Sequence, residues 1–158
     1  MRTRNLLPLL LSLAAVTAQA GVIEDLFRRL IDQRKTTQAW LPKGALPQMS
    51  HELTKPVLAE RQDGLTLGRD QYAIFIAPRC RTCDTAVQRL RERGFKVEVL
   101  DLAASQTARE AFELTGATGV PTVLAGKRML GGWSDKAFDR LMADDFNDKA
   151  RAMQGQGA

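Results

Sequence analysis

The chain of 158 residues contains only two cysteines and one histidine, and these small numbers exclude several kinds of site. Two cysteines cannot stabilise a small secreted domain through a network of disulfides. A structural zinc site needs four ligands, usually cysteine and histidine, and the chain offers only Cys80, Cys83 and His51. We therefore predict no metal site, and we interpret His51 as a solvent-exposed loop residue.

A strong excess of charge is also absent. The formal net charge is +5, from 23 basic and 18 acidic residues that are interspersed along the chain. This excess is too mild to indicate nucleic acid binding, so we expect no nucleic-acid partner. Beyond the N-terminus the chain has no apolar run long enough to span a membrane.

The first 20 residues have the features of a secretory signal peptide. Arg2 and Arg4 form a basic region, residues 6–16 an apolar run, and Ala18-Gln19-Ala20 a cleavage site of small residues. Cleavage after Ala20 would remove two arginines and no acid, so the net charge would fall to +3. The sequence thus predicts a periplasmic or secreted protein, in a compartment where a disulfide persists, with no membrane span after cleavage.

Residues 21–70 are predicted to form a helix followed by a connecting segment. Val22–Ala39 places apolar residues on one stripe and charged residues on the other, as an amphipathic helix does. Two interpretations remain open: the helix packs on its own domain, or it serves for dimerisation or partner docking. Prolines and glycines punctuate residues 40–70, which indicates at most short elements.

Residues 71–150 alternate between strand and helix patterns. Strands are predicted at Tyr72–Ala77 and Phe95–Leu102, with a helix from Cys80 to a stop at Gly94 between them. A helix from Thr107 to Thr115 follows, with a Thr107-x-x-Glu110 capping box. A hairpin then turns at Gly126-Lys127, and a last helix begins after Ser134. The order β-α-β-α-β-β-α predicts an α/β domain with helices on both faces of the sheet, followed by a flexible tail at 151–158.

The two cysteines fall at the predicted turn from the first strand into the first helix of this domain. Cys83 then lies one helical turn after Cys80 on the same side, within reach of a disulfide. The amides that open the helix, with Arg79 and Arg81 nearby, favour the thiolate and so lower the pKa of Cys80. A bridge that closes a ring of about four residues removes little chain entropy, which favours a catalytic pair over an inert structural bridge.

Three motifs follow one another in a recognisable order: Cys80-x-x-Cys83, then Val120-Pro121 at the start of a later strand, then Gly131-Gly132-Trp133-Ser134-Asp135 before the last helix. Together they resemble the thioredoxin fold in its compact glutaredoxin form, over about residues 72–146. The resemblance implies that Cys80 is the nucleophile and Cys83 the resolving cysteine.

The resemblance also implies a substrate site. Pro121 corresponds to a cis-proline that faces the disulfide and leaves the backbone of Val120 free to pair with an extended substrate. Gly131, Gly132 and Asp135 correspond to an element that helps to hold glutathione.

The resulting hypothesis is a periplasmic thiol–disulfide oxidoreductase without a cofactor. Its expected partners are the thiols and disulfides of envelope proteins, with glutathione as a weaker candidate substrate. The alternative is a thioredoxin-like binding subunit of an envelope or conjugation-type assembly, in which the cysteines have little or no redox role.

Overall fold

The computed structural model describes residues 21–37 and 51–155, apart from the side chains of residues 35–37. The predicted signal peptide at 1–20 therefore lies outside the described residues. In chain order the elements are α1 (Val22–Thr37), β1 (His51–Glu52), β2 (Val57–Glu60), β3 (Tyr72–Ile76), α2 (Arg81–Glu92), β4 (Val97–Asp101), α3 (Gln106–Thr115), β5 (Gly119–Val120), β6 (Thr122–Ala125), β7 (Arg128–Gly131) and α4 (Asp135–Gly155). Within the described ranges, no helix has the length and apolar character needed to cross a membrane.

Five strands form one mixed sheet in the order β2-β7-β6-β3-β4. Strands β3 and β4 are parallel and are connected through α2, and β6 runs antiparallel to both β3 and β7. This is the predicted parallel unit followed by a hairpin. Strand β2 was not predicted: it pairs antiparallel with β7 and places Val57 opposite Gly131. The segment before residue 71 thus contributes an edge strand to the sheet.

Helices cover both faces of the sheet, as predicted. On β3, Ala73 and Phe75 pack into a buried cluster with apolar residues of α1 and α3. The intervening Ile74 packs on the opposite side, with apolar residues of α2 and α4. This alternation follows from the pleat of a strand, in which successive side chains point to opposite faces.

The apolar stripe of helix α1 packs against the sheet and α3 of the same chain. Ile23, Phe27 and Ile31 are buried, and the ring of Phe27 lies 6.3 Å from that of Phe75. The Glu98 carboxylate of β4 accepts hydrogen bonds from the backbone N–H groups of Ile23, at 2.9 Å, and of Glu24, at 2.8 Å. Packing on its own domain therefore accounts for the buried stripe, and a docking role for Val22–Ala39 stays a prediction.

A buried ion pair fixes the chain between β2 and β3. The guanidinium of Arg61 donates to Asp63 Oδ2 at 2.6 Å and to the carbonyl of Gly126 at 3.0 Å. Both charged side chains are fully buried, and the Arg61 guanidinium lies over the Phe27 ring at 5.5 Å. This contact ties the N-terminal part of the chain to the turn between β6 and β7.

Two local expectations were wrong. Helix α3 is capped by Ser105, whose Oγ accepts from the Ala108 N–H at 3.1 Å, and Thr107 lies inside the helix. Ser105 has the extended backbone that an N-cap requires, so the proposed Thr107 capping box does not form. The tail predicted to be flexible at 151–158 is helical as far as Gly155, because residues 149–154 are good helix formers without proline, and residues 156–158 lie outside the described residues.

Candidate functional site

Cys80 ends the turn after β3 and caps α2. Its backbone is extended, with φ −91° and ψ 100°, and its Sγ accepts a hydrogen bond from the Cys83 N–H at 3.1 Å. The two cysteines form a disulfide, with their Cα atoms 5.2 Å apart. The structure thus places the pair at the positive end of the helix dipole, where negative charge on sulfur is favoured.

Both cysteines are packed into the core. Cys80 is 5% exposed and Cys83 is 2% exposed, and both belong to the apolar cluster that lies between the sheet and helices α1 and α3. A thiol that attacks a disulfide of another molecule has to be accessible to it. The disulfide-bonded pair therefore presents little of its surface to a substrate.

Four of the predicted substrate-binding residues lie together. Strand β5 ends in Val120, the Val120–Pro121 peptide bond is cis, and Gly131 pairs with Thr122 across the sheet. Gly132 donates its N–H to the carbonyl of Pro121 at 2.7 Å. Val120, Pro121, Gly131 and Gly132 therefore form one continuous backbone surface, which other parts of the chain bury.

The other predicted site residues lie on the outside. Asp135 is exposed in the first turn of α4, and within the described residues no hydrogen bond or ion pair joins it to this surface. Arg79 and Arg81 are also exposed, on either side of Cys80. Arg79 has φ +63°, a left-handed backbone that the sharp turn into α2 requires.

Sequence reasoning missed Glu52. Its Oε1 accepts hydrogen bonds from the hydroxyl of Thr82 and from the Thr82 N–H, the latter at 2.7 Å. These two hydrogen bonds, of which the one from the hydroxyl has the larger effect, hold the pKa of Glu52 below its ordinary value. The positive charge of Arg81 lowers the pKa further. A carboxylate thus lies at the helix N-terminus where the sequence predicted unopposed positive charge.

The backbone of Val120, expected to be free, is engaged by the protein's own chain. Strand β1 pairs in parallel with β5, which places Glu52 opposite Val120. The Leu53 N–H donates to the Val120 carbonyl at 2.7 Å. We call residues 51–56 the strap, because they connect the surface around Pro121 with the first turn of α2. No pattern in the sequence marks this segment, since its partners are distant along the chain.

Comparison with known proteins agrees with this geometry. Residues 73–130 match the family model of glutaredoxins. They form a glutaredoxin-like domain with a thioredoxin-like fold. No curated protein and no solved structure matches the chain. The family match indicates a thiol–disulfide oxidoreductase-like function.

The limits of the match separate the site into two parts. Cys80, Cys83, Val120 and Pro121 lie inside the glutaredoxin-like domain, and the match ends just before Gly131. The strap and its carboxylate lie outside the matched residues. Among the described residues, no group of histidine, cysteine and acidic side chains is arranged to hold a metal ion.

Proposed function

We propose that the chain is a periplasmic thiol–disulfide oxidoreductase that exchanges disulfides with envelope proteins through Cys80 and Cys83. The observation that carries this proposal is a disulfide at the N-terminal turn of α2, within the glutaredoxin-like domain. The predicted signal peptide supports export to the periplasm. The disulfide is consistent with that location, because disulfides persist in an oxidising compartment.

In the oxidising direction a substrate thiolate attacks the Sγ of Cys80. The S–S bond to Cys83 breaks, a mixed disulfide forms, and Cys83 leaves as a thiolate. A second thiolate of the substrate then attacks the substrate's own sulfur in the mixed disulfide and releases Cys80. The substrate gains a disulfide and loses two electrons, which the cysteine pair takes up as two thiols. The reverse sequence reduces a substrate disulfide.

The geometry of the first turn of α2 supports different roles for the two sulfurs. The Cys83 N–H already donates to Cys80 Sγ, and the helix dipole points its positive end at the same atom. Cys80 is therefore the better leaving thiolate and the sulfur that forms the mixed disulfide. Cys83, one helical turn further along α2, is proposed as the resolving cysteine.

Protein disulfides are proposed as the natural substrates, with glutathione a weaker one. The space above Gly131 and Gly132, which a glutathione molecule would need, is taken by Leu53 and Lys55 of the strap. Asp135 is exposed, and among the described residues no hydrogen bond or ion pair joins it to these glycines. The comparison to make is the turnover of a glutathione mixed disulfide against that of a protein disulfide.

The proposal is tested by trapping with Cys83→Ser in the periplasm. Without the resolving thiol, mixed disulfides between Cys80 and its substrates should accumulate and be released by reductant. The double variant Cys80→Ser/Cys83→Ser is the matched control and should trap nothing. If Cys83→Ser traps no more protein than the double variant, the proposed exchange reaction is refuted.

Two observations favour a second candidate, a binding subunit with little redox activity. Both cysteines are buried, and the Val120 carbonyl already accepts a hydrogen bond from Leu53, as expected for a site that does not react with substrates. Under this hypothesis, replacing both cysteines with serine would leave the protein's assembly with partners intact. Under the oxidoreductase hypothesis the same replacement abolishes function.

A further inference from the structure

The glycines of the site lie directly beneath the strap. A Cβ atom on Gly119 would lie 2.5 Å from the His51 carbonyl oxygen and 2.6 Å from Leu53 Cγ. A Cβ on Gly131 would lie 2.8 Å from Leu53 Cδ1, and one on Gly132 would lie 2.7 Å from the Lys55 carbonyl oxygen. Non-bonded atoms do not pack this closely. Gly119 and Gly132 face backbone atoms and need glycine to let the strap approach, whereas at Gly131 the Leu53 side chain would have to move.

Polar contacts tie the strap to both halves of the site. The Leu53 N–H donates to the carbonyl of Val120, the residue before Pro121. The Glu52 carboxylate accepts from the N–H and the hydroxyl of Thr82, between the two cysteines. The strap thus uses the backbone acceptor that an extended peptide would use, and it covers the positive end of α2.

The strap itself is weakly held. Leu53 is half-buried, and His51, Glu52, Thr54, Lys55 and Pro56 are all exposed. Its strand is only two residues long. Segments with few buried contacts and exposed backbone hydrogen bonds open at low free energy, far below that of global unfolding. The strap can therefore leave its groove while the sheet stays folded.

We propose that the strap is an autoinhibitory segment that fills the substrate groove, and that a substrate reaches Cys80 only after displacing it. The inference rests on the proposed function. The groove it defines takes an extended polypeptide that donates an N–H to the Val120 carbonyl and offers a carboxylate to Thr82. An acidic, unfolded segment next to a cysteine has this chemistry.

The first test measures the strap directly and needs no turnover. In the purified protein, the Leu53 amide should be protected from hydrogen exchange in the wild type, and its protection factor should fall at least about tenfold in Glu52→Ala. Glu113→Ala, the same change at an exposed glutamate of α3, should leave it unchanged. A Leu53 amide that is unprotected in the wild type, or equally protected in Glu52→Ala, contradicts the proposal that Glu52 holds the strap in the groove.

The second test measures access to the disulfide. We expect Glu52→Ala to react at least about tenfold faster than wild type with a reduced, unfolded polypeptide that carries one acidic-flanked thiol, since the strap no longer competes. Leu53→Ala, which removes the side chain above Gly119 and Gly131, should act in the same direction. The rate with glutathione should rise less, because glutathione lacks the extended backbone.

These readouts separate the two proposals. If Glu52→Ala loses Leu53 protection but reacts with the polypeptide thiol no faster than wild type, the strap does not control access and the inference is wrong. If Glu52→Ala raises the reaction rate with glutathione more than the rate with the polypeptide thiol, the proposed substrate class is wrong. Hydrogen exchange at Leu53 could behave as expected while no thiol reduces the Cys80–Cys83 disulfide in any variant. In that case the oxidoreductase function is refuted, and the strap remains an occupant of the groove.

Discussion

The strap and the segment that follows it, residues 57–67, are neighbours in sequence and are held in opposite ways. The later segment pairs as β2 with β7, buries the Arg61–Asp63 ion pair completely, and ends in the fully buried Leu67. The strap places almost every side chain in solvent. The difference teaches that the later segment is part of the packed fold, whereas the strap lies on its surface; the proposed opening of the strap rests on this contrast.

A carboxylate in each segment makes the comparison concrete. Asp63 is bonded to a guanidinium away from water, whereas Glu52 is bonded to Thr82 in full contact with solvent. Removing a partner from a buried ion pair leaves an uncompensated charge, and removing one at the surface leaves a hydrated group. Replacing the carboxylate with alanine should therefore lower the stability of the fold at Asp63, whereas at Glu52 it should change the access of substrates to the groove.

The largest expected effect is that of Asp63→Ala. We expect it to lower the free energy of unfolding by about 3–5 kcal/mol, because the Arg61 guanidinium would stay buried without its partner. Urea denaturation measures this. Asp25→Ala, which removes an exposed partner of Arg28, is the control and should cost less than about 1 kcal/mol. Equal losses in the two variants would show that burial of the Arg61–Asp63 pair does not set the cost of losing the carboxylate.

The sequence predicted the glutaredoxin-like domain well, because its signals are local. The apolar run of β3, the helix from Cys80 and the Gly126-Lys127 turn each depend on residues close together in the chain. Its errors were also local. Ser105 and Thr107 are both good caps, and only the backbone conformation selects Ser105.

The strap was not predictable in the same way. Glu52 contacts Thr82, thirty residues away, and Leu53 contacts Val120, which is still further along the chain. Within residues 40–70, prolines and glycines predicted loops, and nothing in the pattern identified a strand. The glycines of the site were recognised as room for a ligand, and the structure shows the chain itself in that space.

An ion pair of intermediate exposure lies between the two extremes. Arg128 donates to Asp148 at 2.6 Å, and this bond holds the pKa of Asp148 below its ordinary value of 3.8. Because the folded pKa is lowered, the stabilisation is complete above about pH 4 and is lost as the pH falls through the folded value. Asp148→Asn should lower stability at neutral pH by about 1 kcal/mol or less, and it should weaken the acid dependence. An unchanged acid dependence would contradict this assignment.

The pH dependence of the strap should be visible in exchange and nearly absent from global stability. The lowered pKa of Glu52, due mainly to its Thr82 bonds, means that its contribution is complete above about pH 4.5 and lost as the pH falls through the folded value. The Leu53 amide should therefore lose protection in acid before the sheet unfolds. Glu52→Gln should abolish this dependence. If the Leu53 amide loses its hydrogen-exchange protection only when the whole protein unfolds, at every pH, then the strap does not open independently of the fold.

The smallest expected effects concern the reduced Cys80 thiol. Glu52→Gln removes a negative charge from the start of α2, so it should lower the pKa of Cys80. Arg81→Gln removes a positive charge there, so it should raise that pKa. Thiolate absorbance against pH measures both, and Glu113→Gln is the control. Shifts of the same sign would show that these charges do not act on the sulfur.

The central claim is that Cys80 and Cys83 exchange disulfides, and turnover of a protein disulfide tests it most directly. The purified protein should catalyse oxidation or reduction of a model protein substrate. Cys80→Ala should abolish this turnover, while Cys83→Ala should stop after the mixed disulfide. If the wild type is no faster than the two cysteine variants in either direction, the chain is not an oxidoreductase.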